Sequence, residues 1–423
     1  MLAWDGRADL LFARSVPLSQ QPNARPSASG TATATPPSGY EREALSPTPE
    51  QGVVSAPECS AFEPRGRRGH VPALDGVRGI AILAVFLFHC SLRLEGFWGA
   101  FGRWGWMGVD LFFVLSGFLI TGILLDTRDA APGSYYGSFY GRRVLRIGPA
   151  FVVVMAALVL APALTGQSAA DHLRLVSHEV WYWTFLANVL IATHGWRGVI
   201  PQTSPFWSLA VEEQFYLIWP SVVRRLSVHG VLRLGLVLIV VVAILRFVLA
   251  LRDVSGNALY ALMPTRADLL GWGIVLAALV RIPNGTSLIR RLLWPALVGG
   301  SLVLFAVVVR ERSIAFSTRT MVVAGFPAIA LLAACLVAIA LVHEPRLLRW
   351  PWLTGLGKVS YGLYLWHMTA IVVVAKLLPQ VNAWLIPVAF LCSLVPTLVS
   401  WFLIEQPALS LKRYTPVRPQ LRH

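Results

Sequence analysis

From about residue 75 onward the chain alternates between long apolar runs and short polar connectors. A helix needs roughly 20 apolar residues to cross the hydrocarbon core of a bilayer, and many of these runs reach that length. Ten read as spans, at roughly 75–92, 106–126, 146–164, 208–224, 232–251, 263–280, 293–310, 321–342, 358–378 and 384–404. A further Trp-rich segment at about 181–194 is too short to span and reads as re-entrant or interfacial. The first 69 residues follow another pattern. Segments such as QQPNARPSASGTATATPPSGY bury too little apolar area to fold, so a disordered N-terminal tail is expected; a start codon placed too early accounts for such a stretch equally well. The first apolar run begins too far from Met1 for an ordinary signal peptide. The expected fold is all-α. A polytopic transmembrane helical bundle occupies 70–410, the tail precedes it, and a basic cytoplasmic stretch, 411–423, follows it.

Composition narrows the class. The 423 residues are 56% hydrophobic and 13% charged, a balance that no soluble globular domain has. There are 36 Lys+Arg against 21 Asp+Glu, giving a formal charge of +15. In a soluble protein this excess would point to nucleic acid. Here the basic residues sit between apolar runs, as the positive-inside rule requires, so no nucleic-acid partner is expected. One set of connectors holds Arg142, Arg143, Arg146, Arg224, Arg225, Arg290, Arg291, Arg346, Arg349, Lys412 and Arg413, and the opposite set is poorer. The rich set is expected to be cytoplasmic, which puts both termini inside a cell (inner) membrane. The four cysteines are scattered and form no C-x-x-C pair, so neither a disulfide framework nor a metal site is expected.

Against this apolar background the polar residues stand out. In LDGVRGIAILAVFLFHC, Arg78 and His89 are eleven positions apart. Eleven steps of about 100° come to about 20° past three turns, so both side chains lie on one helical face, about 16 Å apart along the axis. Each costs roughly 2.5–3.5 kcal/mol to insert, which favours an occupied interior site; snorkelling of Arg78 and a capping role for His89 is the plainer alternative. In SFYGRRVLRIGPAF, Arg142 and Arg146 share a face at i, i+4, with Arg143 beside them. Guanidiniums at a membrane boundary either anchor to lipid phosphates or clamp the phosphates of a nucleotide cofactor. In SPFWSLAVEEQFYLIWP, Ser208, Glu212 and Tyr216 form one stripe, and Glu213 is turned about 100° away. Two carboxylates in an apolar span are expensive unless paired, hydrogen-bonded or protonated. Either they salt-bridge to Arg78 or Arg266, or Glu212 orients His89, which lies at a similar expected depth. Asp110 and Ser116 sit in GVDLFFVLSGFLIT. Arg266 and Asp268 open the sixth run and are placed to neutralise one another. Tyr364 and His367 share a face in KVSYGLYLWH.

Seven segments, LDGVRGIAILAVFLFH, GVDLFFVLSGFLIT, FYGRRVLRIGPAF, FWSLAVEEQFYLIWP, RADLLGWG, KVSYGLYLWH and FLIEQPAL, occur in an order that resembles the membrane-bound acyltransferase type 3 family, over about residues 70–410. The resemblance implies an integral membrane O-acyltransferase. It would use acyl-CoA, acetyl-CoA foremost, from the cytoplasm to modify a hydroxyl of a cell-envelope glycan or saccharide. It also implies that His89 is the catalytic histidine and Arg78 its partner. The Arg142–Arg146 loop, with Arg143, would bind the donor, and Glu212–Glu213 matches the family's acidic pair. Asp110, Ser116, Tyr216, Arg266, Asp268 and His367 are then the expected acceptor-binding set. Some relatives append a soluble esterase-like domain with a catalytic serine. About 19 residues follow the last run here, so the membrane domain is expected to do the chemistry alone or to hand on to a separate protein.

Two other readings compete. One keeps the activity but takes a secondary metabolite such as a macrolide as acceptor. The other is a transporter of a polar or acylated solute, with the same charges lining a path. A transporter of the inverted-repeat kind would show internal duplication, and neither the Arg-x10-His nor the VEEQ pattern recurs.

Overall fold

The computed structural model describes residues 71–379 and 382–415. The tail expected at 1–69 and most of the 411–423 stretch lie outside them. Among the described residues there is no strand, and ten principal helices occupy the ten expected runs. They are α1 (Pro72–Ser91), α2 (Gly108–Thr127), α3 (Pro132–Leu160), α4 (Phe206–Arg225), α5 (Val228–Leu251), α6 (Ala267–Leu279), α7 (Gly285–Glu311), α8 (Phe326–Val342), α9 (Pro351–Leu377) and α10 (Leu385–Ser400). Eight of the ten, some together with the short helical turns that flank them, are long and apolar enough to cross a membrane. The other two depart for separate reasons. Helix α6 has 13 residues. Helix α4 has 20 residues but carries Glu212, Glu213, Arg224 and Arg225.

The Trp-rich 181–194 segment forms no spanning helix. It is broken into Glu179–Trp183 and Ala187–His194, with Phe185 between them at a φ of 54°. Just before it, Ser168 and Asp171 close a capping box on the helix Ala169–Ser177. The Ser168 hydroxyl is the main reason that the Asp171 carboxyl lies below the usual range.

Helix α1 packs along α9, α2 along α6, α5 along α6, and α10 along α9. The first pair fixes the axis of the molecule. A Cβ at Gly357 would lie 1.9 Å from the carbonyl oxygen of Asp75, so only glycine lets the backbones meet there. Near the other end of the pair, His89 on α1 meets His367 on α9. The two helices therefore run parallel. The α2–α6 pair makes the same use of glycine. A Cβ at Gly117 would lie 2.2 Å from the Leu270 oxygen, and one at Gly273 would lie 2.2 Å from the Val114 oxygen.

Four buried charges join α2, α5 and the start of α6. Asp110 pairs with the Arg266 guanidinium, and Arg246 Nη2 donates to Asp268 Oδ2 at 2.6 Å. Arg246 Nη1 also donates to the Thr265 carbonyl at 2.8 Å. Arg266 lies over the rings of Tyr260 and Phe326 at 5.0 and 4.5 Å. The expected mutual neutralisation of Arg266 and Asp268 does not occur. Two positions apart on one helical turn, they diverge by about 200° and pair with different helices.

Removing one member of such a pair strands a buried charge, at a cost of about 3–5 kcal/mol, whereas replacing both by apolar residues is far milder. Arg246→Leu alone should therefore lower the apparent Tm of the detergent-solubilised protein more than Arg246→Leu combined with Asp268→Leu. A thermal unfolding series on the two variants checks this, and a double variant less stable than the single would contradict it.

Candidate functional site

Three polar groupings lie along the interior of α1, α3, α4 and α9. At one end Arg78 is 5% exposed and donates from Nη1 to Asp75 Oδ1 at 2.5 Å, a contact within one turn of α1. Its Nε and Nη2 are buried and find no acceptor among the described residues. The charges of Arg146 on α3 and Glu212 on α4 act on it. Arg143, one turn before Arg146, is likewise buried with Nε and Nη1 unpartnered. Its guanidinium lies 5.8 Å from the Tyr216 ring centre and 5.9 Å from that of Phe139. Glu212 and Glu213 both act electrostatically on Arg143, and Glu213 Oε1 is buried without a partner.

The expected clamp of Arg142 with Arg146 takes a different form. Both face the C-terminal segment of the chain. Arg142 Nε donates to Thr415 Oγ1 at 3.0 Å, and Arg146 Nη1 stands 4.0 Å from Glu405 Oε2. Glu405 ends a π-turn, Trp401–Glu405, just before Pro407. It is 2% exposed. On α1 and α3 the buried guanidiniums with open donors are thus Arg78 and Arg143, because the second position of the Arg-Arg-x-x-Arg run is turned away from the tail. Sequence spacing pairs Arg142 with Arg146 correctly but is silent on what their shared face meets.

The middle grouping is the stripe on α4. Tyr216 Oη donates to Glu212 Oε2 at 2.9 Å and lies 2.6 Å from Ser116 Oγ on α2. A phenol has one hydrogen, so Ser116 donates to Tyr216 and Tyr216 to Glu212. One turn along, Ser208 Oγ lies 2.5 Å from Tyr364 Oη, and Tyr364 donates to the Pro205 carbonyl at 2.8 Å. Asn188 and Gln214 form a reciprocal amide pair at 2.9 and 3.1 Å, which ties the broken segment to α4.

The third grouping is a pair of imidazoles. His367 Nε2 lies 3.0 Å from His89 Nδ1. The expected contact of Glu212 with His89 is absent. Glu212 is committed to Tyr216, and it sits one turn along α4 from Ser208 while His367 sits one turn along α9 from Tyr364. The carboxylate is consequently on the order of 10 Å nearer the Arg78 end than the two rings are. His367, expected in the acceptor-binding set, is instead the partner of His89. Asp110, Arg266 and Asp268 from the same set are engaged in the ion pairs joining α2, α5 and α6.

Three residues escaped the sequence reading. Arg246 is a charge five positions inside an apolar run, which is itself a signal of an interior partner. Asp75 stands at i−3 to Arg78 and is visible by spacing. Glu405 is the acid that directly follows the last run, in FLIEQPAL.

Comparison with known sequences identifies the family. Residues 71–405 match the acyltransferase domain family. Relatives include a Staphylococcus aureus (strain COL) protein whose name assigns it to the O-acetyltransferases, 28% identical over 326 residues, covering 71% of this chain and 51% of the relative. The peptidoglycan O-acetyltransferase OatA of Listeria monocytogenes is 27% identical over 369 residues, covering 81% of this chain and 56% of its own. A Bacillus subtilis protein whose name assigns it to the peptidoglycan O-acetyltransferases is 28% identical over 361 residues, covering 80% of this chain and 55% of its own. This chain thus spans about half the length of the relatives it matches. No solved structure matches it. With a match over most of its length and the family's polar positions gathered inside one bundle, the chain belongs to the membrane-bound acyltransferase type 3 family.

Proposed function

We propose that this protein transfers an acetyl group from acetyl-CoA, entering from the cytoplasmic side, to a hydroxyl of a cell-envelope glycan. The observation that carries this reading is the pair of buried guanidiniums, Arg78 and Arg143, each with two nitrogens that lack an acceptor, against one each in the ion-paired Arg246 and Arg266. Buried donors left unpaired cost about 1–3 kcal/mol each, and more when charged, so a site of this kind favours an anionic ligand. Phosphate groups suit guanidinium forks. His89 lies eleven residues along α1 from Arg78, about 16 Å away. A donor that spans this gap needs its phosphates and its reactive end separated by a long arm, as the pantetheine arm of CoA provides.

In this reading both termini are cytoplasmic and the Arg78 end of α1 faces the cytoplasm, following the Arg-rich connectors. His89 takes the proton from the acceptor hydroxyl, the oxygen attacks the thioester carbonyl, and the thiolate leaves with that proton. Glu212 and Glu213 balance Arg143 and limit how tightly the donor is held. A glycan acceptor is supported by the names of the Listeria and Bacillus relatives.

His89→Ala should reduce transfer from acetyl-CoA to peptidoglycan fragments by about 10²–10⁴-fold at unchanged membrane level, the usual contribution of a general base. Radiolabelled acetyl-CoA and protein in nanodiscs measure it, and a loss below about tenfold would remove His89 from the base role.

Arg143→Gln should raise the KM for acetyl-CoA roughly tenfold or more with a smaller change in the acceptor KM, because a charged hydrogen bond is lost from donor binding. Arg142→Gln, whose guanidinium is held by Thr415, should change the donor KM less. Equal effects of the two substitutions on both KM values would move the donor site elsewhere.

A further inference from the structure

The tautomer of an imidazole is set by what faces each ring nitrogen. His367 Nδ1 lies 2.8 Å from the Tyr364 carbonyl oxygen and 3.2 Å from that of Leu363. A carbonyl oxygen only accepts, so this nitrogen carries the hydrogen and Nε2 of the neutral ring is bare. The bare Nε2 faces His89 Nδ1 at 3.0 Å. The same His89 nitrogen lies 3.0 Å from the Val85 carbonyl oxygen. With an acceptor on either side, His89 Nδ1 carries a hydrogen too. The lone pair of His89 is left on Nε2.

The Val85 carbonyl belongs to the preceding turn of α1 and is the regular acceptor of the His89 backbone N–H. His367 is the acceptor supplied from outside α1. Its ring is 0% exposed, and its Nδ1 is fixed by two carbonyls of its own helix. Among the described residues no carboxylate, guanidinium or ammonium is hydrogen-bonded to either ring. On α1 the flanking ring is Phe88, on α9 it is Tyr364, and the α4 contact to Tyr364 is the hydroxyl of Ser208. The place that a carboxylate fills in a Ser–His–Asp arrangement is therefore filled by a second imidazole.

We propose that His367 is the positioning residue of the acyl transfer, holding His89 in the tautomer whose Nε2 is the base and sharing the proton that His89 acquires. The inference rests on the reading of His89 as the base. During transfer the acceptor O–H bond breaks and its hydrogen goes to His89 Nε2. The Nδ1 hydrogen of His89 then shifts along the 3.0 Å contact towards His367 Nε2. The positive charge moves onto a ring whose other N–H already points at two carbonyls. The new bond joins the acceptor oxygen to the acyl carbon, the C–S bond breaks, and the thiolate takes the proton back through His89 Nε2. The protein ends with the protons it began with, and no oxidant or reductant is involved.

The test uses the full chain in nanodiscs. Turnover with labelled acetyl-CoA and peptidoglycan fragments is compared for wild type, His89→Ala, His367→Phe and His367→Gln. Phenylalanine keeps the ring volume and has no acceptor, whereas the glutamine oxygen accepts a hydrogen bond. His367→Phe should lose about 10²-fold or more in kcat with little change in donor KM, and His367→Gln should recover at least about tenfold of it. Nitrogen-15 magic-angle spinning NMR of histidine-labelled protein, with His89 assigned by its loss in His89→Ala, should show hydrogen on Nδ1 of both rings and a bare His89 Nε2. In His367→Phe the His89 signals should spread over both tautomers. Equal activity of the Phe and Gln variants would overturn the proposal, as would a wild-type His89 protonated on Nε2. The NMR arm needs no turnover, so it decides even if the substitutions disturb packing. Full activity of His89→Ala would fail the parent reading instead and leave the tautomer result standing.

Discussion

Lipid offers no partner to a charged side chain, so each charge inside this bundle has to be met by protein or by whatever the protein binds. Asp110 with Arg266, Arg246 with Asp268, and Arg146 with Glu405 are all met across elements. Contacts of this kind do what apolar packing in a membrane cannot, because a leucine face slides over another leucine face at little cost. An ion pair between α2 and the start of α6 is lost if either helix shifts by a residue. The glycine contacts at Gly117 and Gly273 then bring those same helices close enough for the pair to close. Register, in this chain, is written in polar residues, and closeness in small ones.

The two charged regions of the interior differ in how far they satisfy themselves. The four charges joining α2, α5 and α6 each meet an opposite charge on another element and leave one polar atom apiece unpartnered, with the Thr265 carbonyl taking a further donor and aromatic rings covering Arg266. Arg78 and Arg143 are only partly satisfied, although acidic groups lie near. The first region behaves as a fastening, and in the proposed function the second is the receptor for the donor. Between the receptor and the imidazole pair runs α1, and its backbone meets that of α9 at Gly357 and its histidine meets His367. A rod fixed near both ends keeps Arg78 and His89 at a constant separation. This matters for chemistry that depends on near-attack placement of a thioester.

Much of this was legible from spacing alone. The Ser208–Glu212–Tyr216 stripe, the common face of Arg78 and His89, and that of Arg142 and Arg146 all follow from 3.6 residues per turn. What spacing cannot give is the identity of a partner on another helix. Glu212 was matched to His89 on depth, yet a tyrosine one turn along its own helix holds it. Arg266 was matched to Asp268 on proximity in sequence, yet adjacent turn positions point apart and each found a nearer charge elsewhere. Arg246 illustrates the other blind spot. In a run counted as a span by its hydropathy, one arginine hardly lowers the average, so the residue that closes a pair goes unseen unless each charge is examined singly. The run at 263–280 exceeds helix α6 for the converse reason, since Met263 and Pro264 are apolar but belong to a tighter turn, Met263–Thr265.

The separation of carboxylates from imidazoles has a physical consequence of its own. A carboxylate in contact with a buried histidine favours the imidazolium, and the protonated fraction cannot accept a further proton. Here Glu212 and Glu213 are spent on the arginine side, while the histidine side carries two neutral rings and backbone carbonyls. In the proposed transfer this leaves His89 Nε2 free to take the acceptor's proton. The positive charge that forms during transfer is spread over two rings and two carbonyl oxygens, none of which needs to be desolvated as a charge beforehand. A cation formed between α1 and α9 is costly in a membrane interior, and sharing it between two rings and two carbonyl oxygens is what offsets that cost in the proposed transfer.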